Sequence, residues 1–537
     1  MLGILFLTTF IATLVYLIVK ITFYWRWQGV KQCGPLDLWR TFFKLLLQFG
    51  PECETLADLQ KRYPEERYIG INMFTSNLLL IKDPGLVKEV AIKEFDSFVN
   101  HYAFVNEEVE PLFGRALLLL QGERWRSMRS TLSPSFTSSK MRGMFRLFEE
   151  CTEQFIGYLQ EKGSSGIDVE LKDLLTRFSN DVIASAAFGL SCNSLKCPEN
   201  EFYLMGKELT NLSGFWKNIS LLIVTVFPRV AKFLGVRFFN PKANAFFRNL
   251  VKSTIDAREK SGILRPDMIH LLLEARKGRL KHDVDADAID SEFASIEESA
   301  IGKEASKIEL SDDDLIAQAL LFFFAGFESV ANLMCFTAHE LTVNCDVQTR
   351  LQEEIDETLR KHDGVITYES LLKMKYLDMV LSESLRKYPS ITLSDRVCTK
   401  PFTIEPVHPG ERPVHLQKGT IVGIPIFGMH RDPKFYPNPE RYDPERFSDE
   451  NKSKIEPGSY LPFGIGPRSC IGNRFGLLEA KMLIFKLFQH FNVVVIKETQ
   501  VPIKLKPNHF SLSVEGFWTQ QDPLQTVRII NYLRHFV

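Results

Sequence analysis

The sequence predicts a mainly α-helical chain with small β-sheets, an α+β fold, preceded by one N-terminal transmembrane helix. Three observations lead there. Helical periodicity dominates from about residue 120 to 390, strand-like runs flank that stretch on both sides, and Leu2 to Val19 carries no charge. The 537 residues are 45% hydrophobic and 24% charged, the composition of a packed globular protein, which excludes collagen-like, coiled-coil and wholly disordered chains. With 65 Lys plus Arg against 66 Asp plus Glu the formal charge is −1, which argues against a nucleic-acid partner. Phenylalanine is abundant, 43 against 14 Tyr and 6 Trp, and points to an extensive apolar interior or pocket. Nine cysteines, odd in number and without paired zinc spacing, fit a reducing compartment, where most are inert buried thiols.

The elements follow in order. Leu2 to Val19, as a helix, spans about 27 Å against a hydrocarbon core of about 30 Å. Lys20 can snorkel, Tyr24, Trp25 and Trp27 supply an aromatic belt, and Arg26 and Lys31 place the rest of the chain in the cytosol. A cleaved signal peptide is the rival reading; it lacks a basic segment before the apolar run and a small-x-small cleavage site. Residues 1–25 are thus the expected anchor, 26–50 a hinge and linker with a turn at Gly34-Pro35, and 51–537 the globular body. Arg67 to Asn72 and Asn77 to Ile81 form a predicted strand pair. Residues 281–311, acidic and poor in large apolar side chains, read as a long surface loop. Ser311-Asp312-Asp313-Asp314 then caps a helix from Leu315 to about Asn344, roughly 45 Å long. Leu320 to Phe327 is apolar nearly all round, so this helix must cross the protein centre, with Gly326 in its middle. Glu328 and Ser329 follow at once and need partners there, unless Gly326 merely allows close packing and Ser329 bonds back to its own helix.

The stretch richest in chemistry is Phe463-Gly464-Ile465-Gly466-Pro467-Arg468-Ser469-Cys470-Ile471-Gly472. Its glycines let backbone lie flat against a partner, Arg468 offers a fixed cation, and an amphipathic helix runs from about Ile471 to Phe488. Cys470 sits at that helix N-terminus, where the dipole and free N–H groups favour a thiolate able to ligate metal. A buried structural thiol is the bland reading, but it must explain glycines, arginine and helix start together.

These ten residues fit F-x-x-G-x-R-x-C-x-G without departure and resemble the haem-binding loop of the cytochromes P450, the haem-thiolate monooxygenases. The resemblance implies Cys470 as axial thiolate of haem iron and the metal ligand, Phe463 packed beside it, and Gly472 closing the loop. It also implies Arg468 on a haem propionate. Three further motifs occur in the family's order. Glu383-Ser384-Leu385-Arg386 matches E-x-x-R, and Arg446 in Pro444-Glu445-Arg446-Phe447 would complete a buried ion triad with Glu383 and Arg386. Trp125-Arg126-Ser127-Met128-Arg129 matches W-x-x-x-R; by resemblance Trp125 and Arg129 bind propionate, as would Arg396. Within the family the chain is similar to insect microsomal members, particularly family 9 in the clan of family 6, through Glu292 to Asp314 and Phe322 to Ser329.

The family's central helix carries A/G-G-x-D/E-T, here Ala325-Gly326-Phe327-Glu328-Ser329, with serine for the usual threonine. In the family, alcohol and acid deliver protons to the oxygen that the haem activates. Serine keeps the hydroxyl but lacks the methyl that fixes the rotamer, so more uncoupling to peroxide is expected. The usual proline-rich hinge is reduced to Gly34-Pro35. The implied cofactors are haem b (iron protoporphyrin IX) and NADPH through a partner, because no flavin- or nucleotide-binding loop is visible. The implied partners are NADPH–cytochrome P450 reductase, sometimes helped by cytochrome b5, a hydrophobic small molecule and membrane lipid, with the chain held at the endoplasmic reticulum. Arg124, Arg126, Lys140, Arg142, Lys452, Lys454 and Arg474 are either a basic docking face or scattered solvated charges. Expected substrate-facing regions are His101 to Phe113, Phe202 to Asn240, Leu320 to Phe327, Ser390 to Leu393 and Asn508 to Leu512. Foreign compounds such as plant toxins or insecticides are the expected substrates, with an endogenous lipid or hormone as the alternative. Ile219 to Phe239 either dips into the membrane or packs as ordinary core. The rival activities are a reductase-independent haem-thiolate isomerase or dehydratase and a non-catalytic ligand-binding protein.

Overall fold

A computed structural model describes residues 22–523 except 73–76, 163–166, 263, most of 281–308, 507–510, 515 and several positions between 35 and 49. The expected Leu2 to Val19 anchor, most of the acidic loop and Asn508 to Phe510 therefore lie outside the described residues. The rest is mainly helical with small sheets, as the periodicity requires. The helices that build the core are α1 (Glu52–Lys61), α2 (Gly122–Leu132), α3 (Ser138–Lys162), α4 (Leu171–Ile183), α5 (Glu201–Thr210), α6 (Phe215–Val226) and α7 (Pro228–Leu234). They continue as α8 (Pro241–Ser261), α9 (Met268–Arg276), α10 (Asp312–Val343), α11 (Cys345–Lys361), α12 (Lys375–Lys387) and α13 (Asn473–His490).

The strands are β1 (Tyr68–Asn72), β2 (Asn77–Ile81), β3 (Ile167–Glu170), β4 (Ser394–Val397), β5 (Phe402–Ile404), β6 (Val414–Leu416) and β7 (Ile421–Ile424). The last four are β8 (Phe491–Val494), β9 (Leu505–Lys506), β10 (Ser513–Val514) and β11 (Trp518–Pro523). The main sheet has the order β1-β2-β7-β4. Its β1–β2 hairpin pairs Gly70 with Leu79, as the strand-like text predicts, and β4 is registered with Arg396 opposite Val422.

Helix α10 organises the molecule. Ser311 caps it by a reciprocal box with Asp314, and three aspartates occupy its first turn, where the helix dipole favours negative charge. It is long and apolar enough to cross a membrane, yet 67% of its most apolar stretch is buried inside the protein, so it is the core helix. Two small residues set its neighbours. A Cβ on Gly326 would lie 3.0 Å from Ile183 Cδ1 at the end of α4, and one on Gly476 of α13 would lie 3.4 Å from Val330. The turn carrying Ser329 and the helix following Cys470 therefore meet at one crossing.

One expectation fails at the other end of the chain. Trp25, read as part of an interfacial aromatic belt, is 0% exposed, its ring lodged where a Cβ on Gly70 would stand 2.2 Å from Trp25 Cγ. Its indole N–H donates to the Ile71 carbonyl at 3.2 Å, and Cys33 N–H donates to Gly70 O at 3.1 Å. Sheet packing so begins within residues 22–33, ahead of Gly34-Pro35, while Trp27 stays 63% exposed.

Candidate active site

Among the cysteines, burial separates the inert from the usable. Desolvation pushes the Cys33 and Cys192 thiols up to about 11 and those of Cys53, Cys151 and Cys335 up to about 12. Cys470 is exposed. Its loop is shaped by glycine: Gly464 and Gly466 have φ of 76° and 73°, and a Cβ on Gly466 would meet the Ala91 carbonyl oxygen at 2.1 Å. Cys470 N–H donates to Phe463 O at 2.9 Å, Ser469 N–H to Gly466 O at 2.9 Å, and the Asn473 side-chain amide to Cys470 O at 2.9 Å. Helix α13 starts at Asn473, two residues later than the apolar pattern suggests, because the Gly472 cap takes a non-helical φ and ψ of −94° and 16°.

Two arginines from two elements converge on the backbone of this loop, and a third, Arg468, reaches out from it. Arg129 of α2 donates to Ser469 O at 2.8 Å, and Arg396 of β4 to Ile465 O at 3.0 Å. Arg468 reaches outward to Val99 O at 2.8 Å and Leu120 O at 2.7 Å, with its guanidinium 4.0 Å over the Trp125 ring. Trp125 and Arg129 of α2 are both buried, the indole lying under the Arg468 guanidinium. Burial, with the charges of Arg396, Arg129 and Arg126 adding to it, holds Arg468 well below the ordinary guanidinium value, against the opposing pull of Asp395. Burial likewise brings Arg396 down to about 10, and among the described residues its Nε has no hydrogen-bond partner. Asp395 is the carboxylate of this cluster. Burial alone would raise it, but His101, the Tyr102 N–H and Arg396 outweigh burial and keep it below its usual range. Crowded buried cations with an orphaned donor suit a ligand that brings acidic groups.

On α10, Ala325 is exposed although Leu320, Phe323 and Phe327 around it are buried, so the helix borders an open chamber at that turn. Ser329 Oγ donates back to Ala325 O, and Ser390 Oγ donates to Ser329 O at 3.4 Å. Close packing at Gly326 and back-bonding of Ser329 both occur, and Ser329 lies one helical turn from the exposed Ala325. Glu328 is half-buried and pairs with Lys172 Nζ of α4 at 3.6 Å. Lys172 also bonds Asn332 Oδ1, and Asn332 Nδ2 donates to Leu512 O at 3.1 Å. Lys172 and Asn332 had no motif to mark them; only the packing of α4 on α10 brings them to Glu328.

The ion triad forms. Arg386 grips Glu383 through Nε at 2.7 Å and Nη2 at 2.9 Å, and Arg446 Nε stands 3.5 Å from Glu383 Oε1. His430, a second residue without a motif, joins it to the cysteine loop. Its Nε2 accepts the Leu461 N–H at 2.8 Å, so the ring proton sits on Nδ1 and is donated to Arg386 O at 3.1 Å. Burial, reinforced by the Arg386 charge, pushes this histidine down to about 3 and keeps it neutral.

The proposed basic face is largely compensated. Arg124 pairs with Glu107 at 2.8 Å, Arg126 with Asp96, Arg142 with Glu369 at 2.7 Å and Lys452 with Asp449 at 2.6 Å.

Among the described residues no group of three His, Cys, Asp or Glu is placed to hold a bare metal ion. A metal at Cys470 would thus need a prosthetic group to supply its other ligands, and haem fits the donor set: one accessible thiol on a flat glycine loop, with arginine donors behind it. Comparison with known proteins agrees. The family described as Cytochrome P450 matches residues 34–520. Cytochrome P450 9e2 of Blattella germanica is 47% identical over 490 residues, covering 88% of this chain and 89% of its own. Probable cytochrome P450 9f2 of Drosophila melanogaster is 39% identical over 516 residues, 92% of this chain and 96% of its own. Cytochrome P450 6k1 of Blattella germanica is 36% identical over 501 residues, 93% and 92%.

Proposed function

Since the chain belongs to the cytochrome P450 family, whose members are haem monooxygenases, we propose that it inserts one oxygen atom into hydrophobic small molecules, RH + O2 + NADPH + H+ → ROH + H2O + NADP+. The observation that carries this is the accessible Cys470 on its glycine loop, with Arg129 and Arg396 donating to the loop backbone and Arg468 reaching from the loop to Val99 O. Haem, when bound, supplies the iron at which dioxygen is activated. Cys470 would hold that iron as thiolate, its loop shaped by Gly464, Gly466 and Gly472 and tied through the Phe463 carbonyl. Arg396, Arg468, Arg129 and Trp125 are the donors that would bind the acidic groups of the haem. Across the chamber, Ser329 Oγ and the Glu328 carboxyl relay protons beside Ala325 and Gly326, with Lys172 holding the Glu328 side chain in place.

Electrons come from NADPH–cytochrome P450 reductase, with cytochrome b5 as an auxiliary donor, since this chain carries no nucleotide-binding loop of its own. The enzyme sits at the endoplasmic reticulum membrane by a single N-terminal helix, with its body in the cytosol. A second lipid contact is supported by α6 and α7, where Trp216 is 78%, Phe227 56%, Phe233 88% and Leu234 63% exposed. Substrates are foreign compounds such as plant toxins or insecticides, in keeping with the phenylalanine-rich chamber walls; an endogenous lipid or hormone suits the same walls.

The carbon monoxide difference spectrum of the dithionite-reduced protein tests the reading. A strongly red-shifted Soret band, lost in Cys470→Ser, is the expected result; its absence in folded, haem-loaded protein overturns the Cys470 assignment. Product formation that needs both NADPH and reductase separates monooxygenation from peroxide rearrangement.

A further inference from the structure

Glu110 is a buried carboxylate that the reaction does not use. It is 2% exposed, and among the described residues no ion pair reaches it. Its Oε1 instead accepts two successive backbone N–H groups, Phe238 at 2.6 Å and Phe239 at 3.2 Å. From the other side Lys217 of α6 donates to Phe238 O at 2.8 Å. The Phe238–Phe239 segment, which leads into α8, is so gripped at both ends of its peptide dipoles. A buried carboxylate is costly to desolvate, and an apolar residue would fill the same space more cheaply, so its position here calls for a role.

That role follows from what the clasped segment carries. Phe239 stacks face to face on Phe113, ring centroids 3.5 Å apart at 6°. Both rings meet Phe324 edge-on, at 5.9 Å and 5.5 Å, and Phe324 directly precedes the chamber residue Ala325. Phe113 is itself held in place, because Gln318 of α10 binds Leu117 N–H and Arg115 O, each at 2.8 Å. The Phe239 side has no strand or helix of its own at that point. Glu110 therefore joins two chain segments, 104–117 and 215–240, that no shared secondary structure holds together.

We propose that Glu110 is a positioning residue of the substrate chamber, whose carboxylate oxygen holds the Phe238–Phe239 backbone so that the Phe113, Phe239 and Phe324 rings close the roof beside Ala325 against bulky ligands. This rests on the haem-thiolate reading only in taking the space beside Ala325 as the substrate chamber.

The test uses the full-length, haem-loaded enzyme and two probes, imidazole and 1-tritylimidazole, whose dissociation constants are read from the Soret shift. In Glu110→Ala the affinity ratio moves about 10-fold or more toward the trityl probe, and Phe239→Ala moves it the same way. Glu110→Gln keeps the ratio within about 3-fold of wild type, since its amide oxygen can accept the same two N–H groups. Hydrogen exchange of a peptide spanning residues 236–240 speeds about 10-fold in Glu110→Ala but not in Glu110→Gln. If Glu110→Ala fails to fold, Glu110→Asp replaces it, keeping the charge but withdrawing the oxygen, with the same two outcomes expected. An unchanged ratio with unchanged exchange overturns the proposal, as does Glu110→Gln behaving like Glu110→Ala. Absence of any Soret shift with imidazole in the wild type would strike the haem-thiolate reading, while the exchange data would still decide the clasp.

Discussion

Ser329 keeps a hydroxyl where the family has threonine, and it spends its proton on the Ala325 carbonyl. A serine hydroxyl can leave that bond by a single χ1 rotation, without the β-methyl that would restrict it. Ser329→Ala is expected to lower product formed per NADPH roughly tenfold while leaving the carbon monoxide band intact, and Ser329→Thr to raise coupling above wild type. Oxygen, NADPH and product measured together decide both. A second residue governs stability. Burial pushes Glu479 of α13 up to about 8, against one hydrogen bond from Ser179 Oγ at 2.7 Å. Folded Glu479 holds its proton where the unfolded chain, at an ordinary 4.5, has released it. Its contribution is therefore fully present below pH 4.5 and is lost as pH rises from there to about 8, at up to about 1.4 kcal/mol per pH unit. Glu479→Gln should flatten that part of the profile, so urea midpoints of variant and wild type converge at acid pH and diverge in the variant's favour toward pH 8. Equal slopes would mean that Glu479 is ionised in the fold.

At the scale of elements, the cysteine loop depends on backbone that only glycine tolerates. Gly466 combines a φ of 73° with a Cβ position 2.1 Å from the Ala91 carbonyl oxygen, which belongs to backbone and cannot swing aside. Gly466→Ala is expected to abolish stable haem loading, read as the Soret to protein absorbance ratio after purification. Gly464→Ala, whose Cβ would meet only Ser469 Cα at 3.8 Å, should cost about 1 kcal/mol and keep the cofactor. The extent to which elements were legible in the sequence follows the same logic. The α10 cap at Ser311 and the strand pair of Tyr68–Asn72 with Asn77–Ile81 appear where the text places them, because caps and period-2 runs are local signals. The start of α13 was misplaced by two residues, since apolar periodicity continues through Ile471-Gly472 while the chain there is still turning to present Cys470.

For the whole molecule, Glu383, Arg386, Arg446 and His430 form the strut between α12 and the cysteine loop. Removing one charge leaves its partners buried and unpaired. Glu383→Gln is predicted to destabilise by about 3 to 5 kcal/mol and to release haem on mild heating, measured as a lowered midpoint of Soret loss together with the far-ultraviolet transition. A midpoint within a degree of wild type would show that the remaining hydrogen bonds suffice. The body also reaches further toward the N-terminus than the hinge reading allows, because Trp25 fills the gap over Gly70 and closes the core beneath the main sheet.

The residues of the candidate site come from positions 125–129, 325–329, 396 and 463–472; all but Arg396, which only the family resemblance pointed to, stand in short motifs of fixed spacing. Helical i, i+3 and i, i+4 steps, caps and glycine turns depend on neighbours along the chain, so sequence alone determined them. Tertiary structure alone decided which partner each lone polar group meets: Lys172 for Glu328, the Phe238–Phe239 backbone for Glu110, the Leu461 amide for His430, and Gly70 for the Trp25 ring. The physical reason is that burial, and with it the choice of partner and protonation state, is a property of how distant elements pack, and no local spacing encodes it.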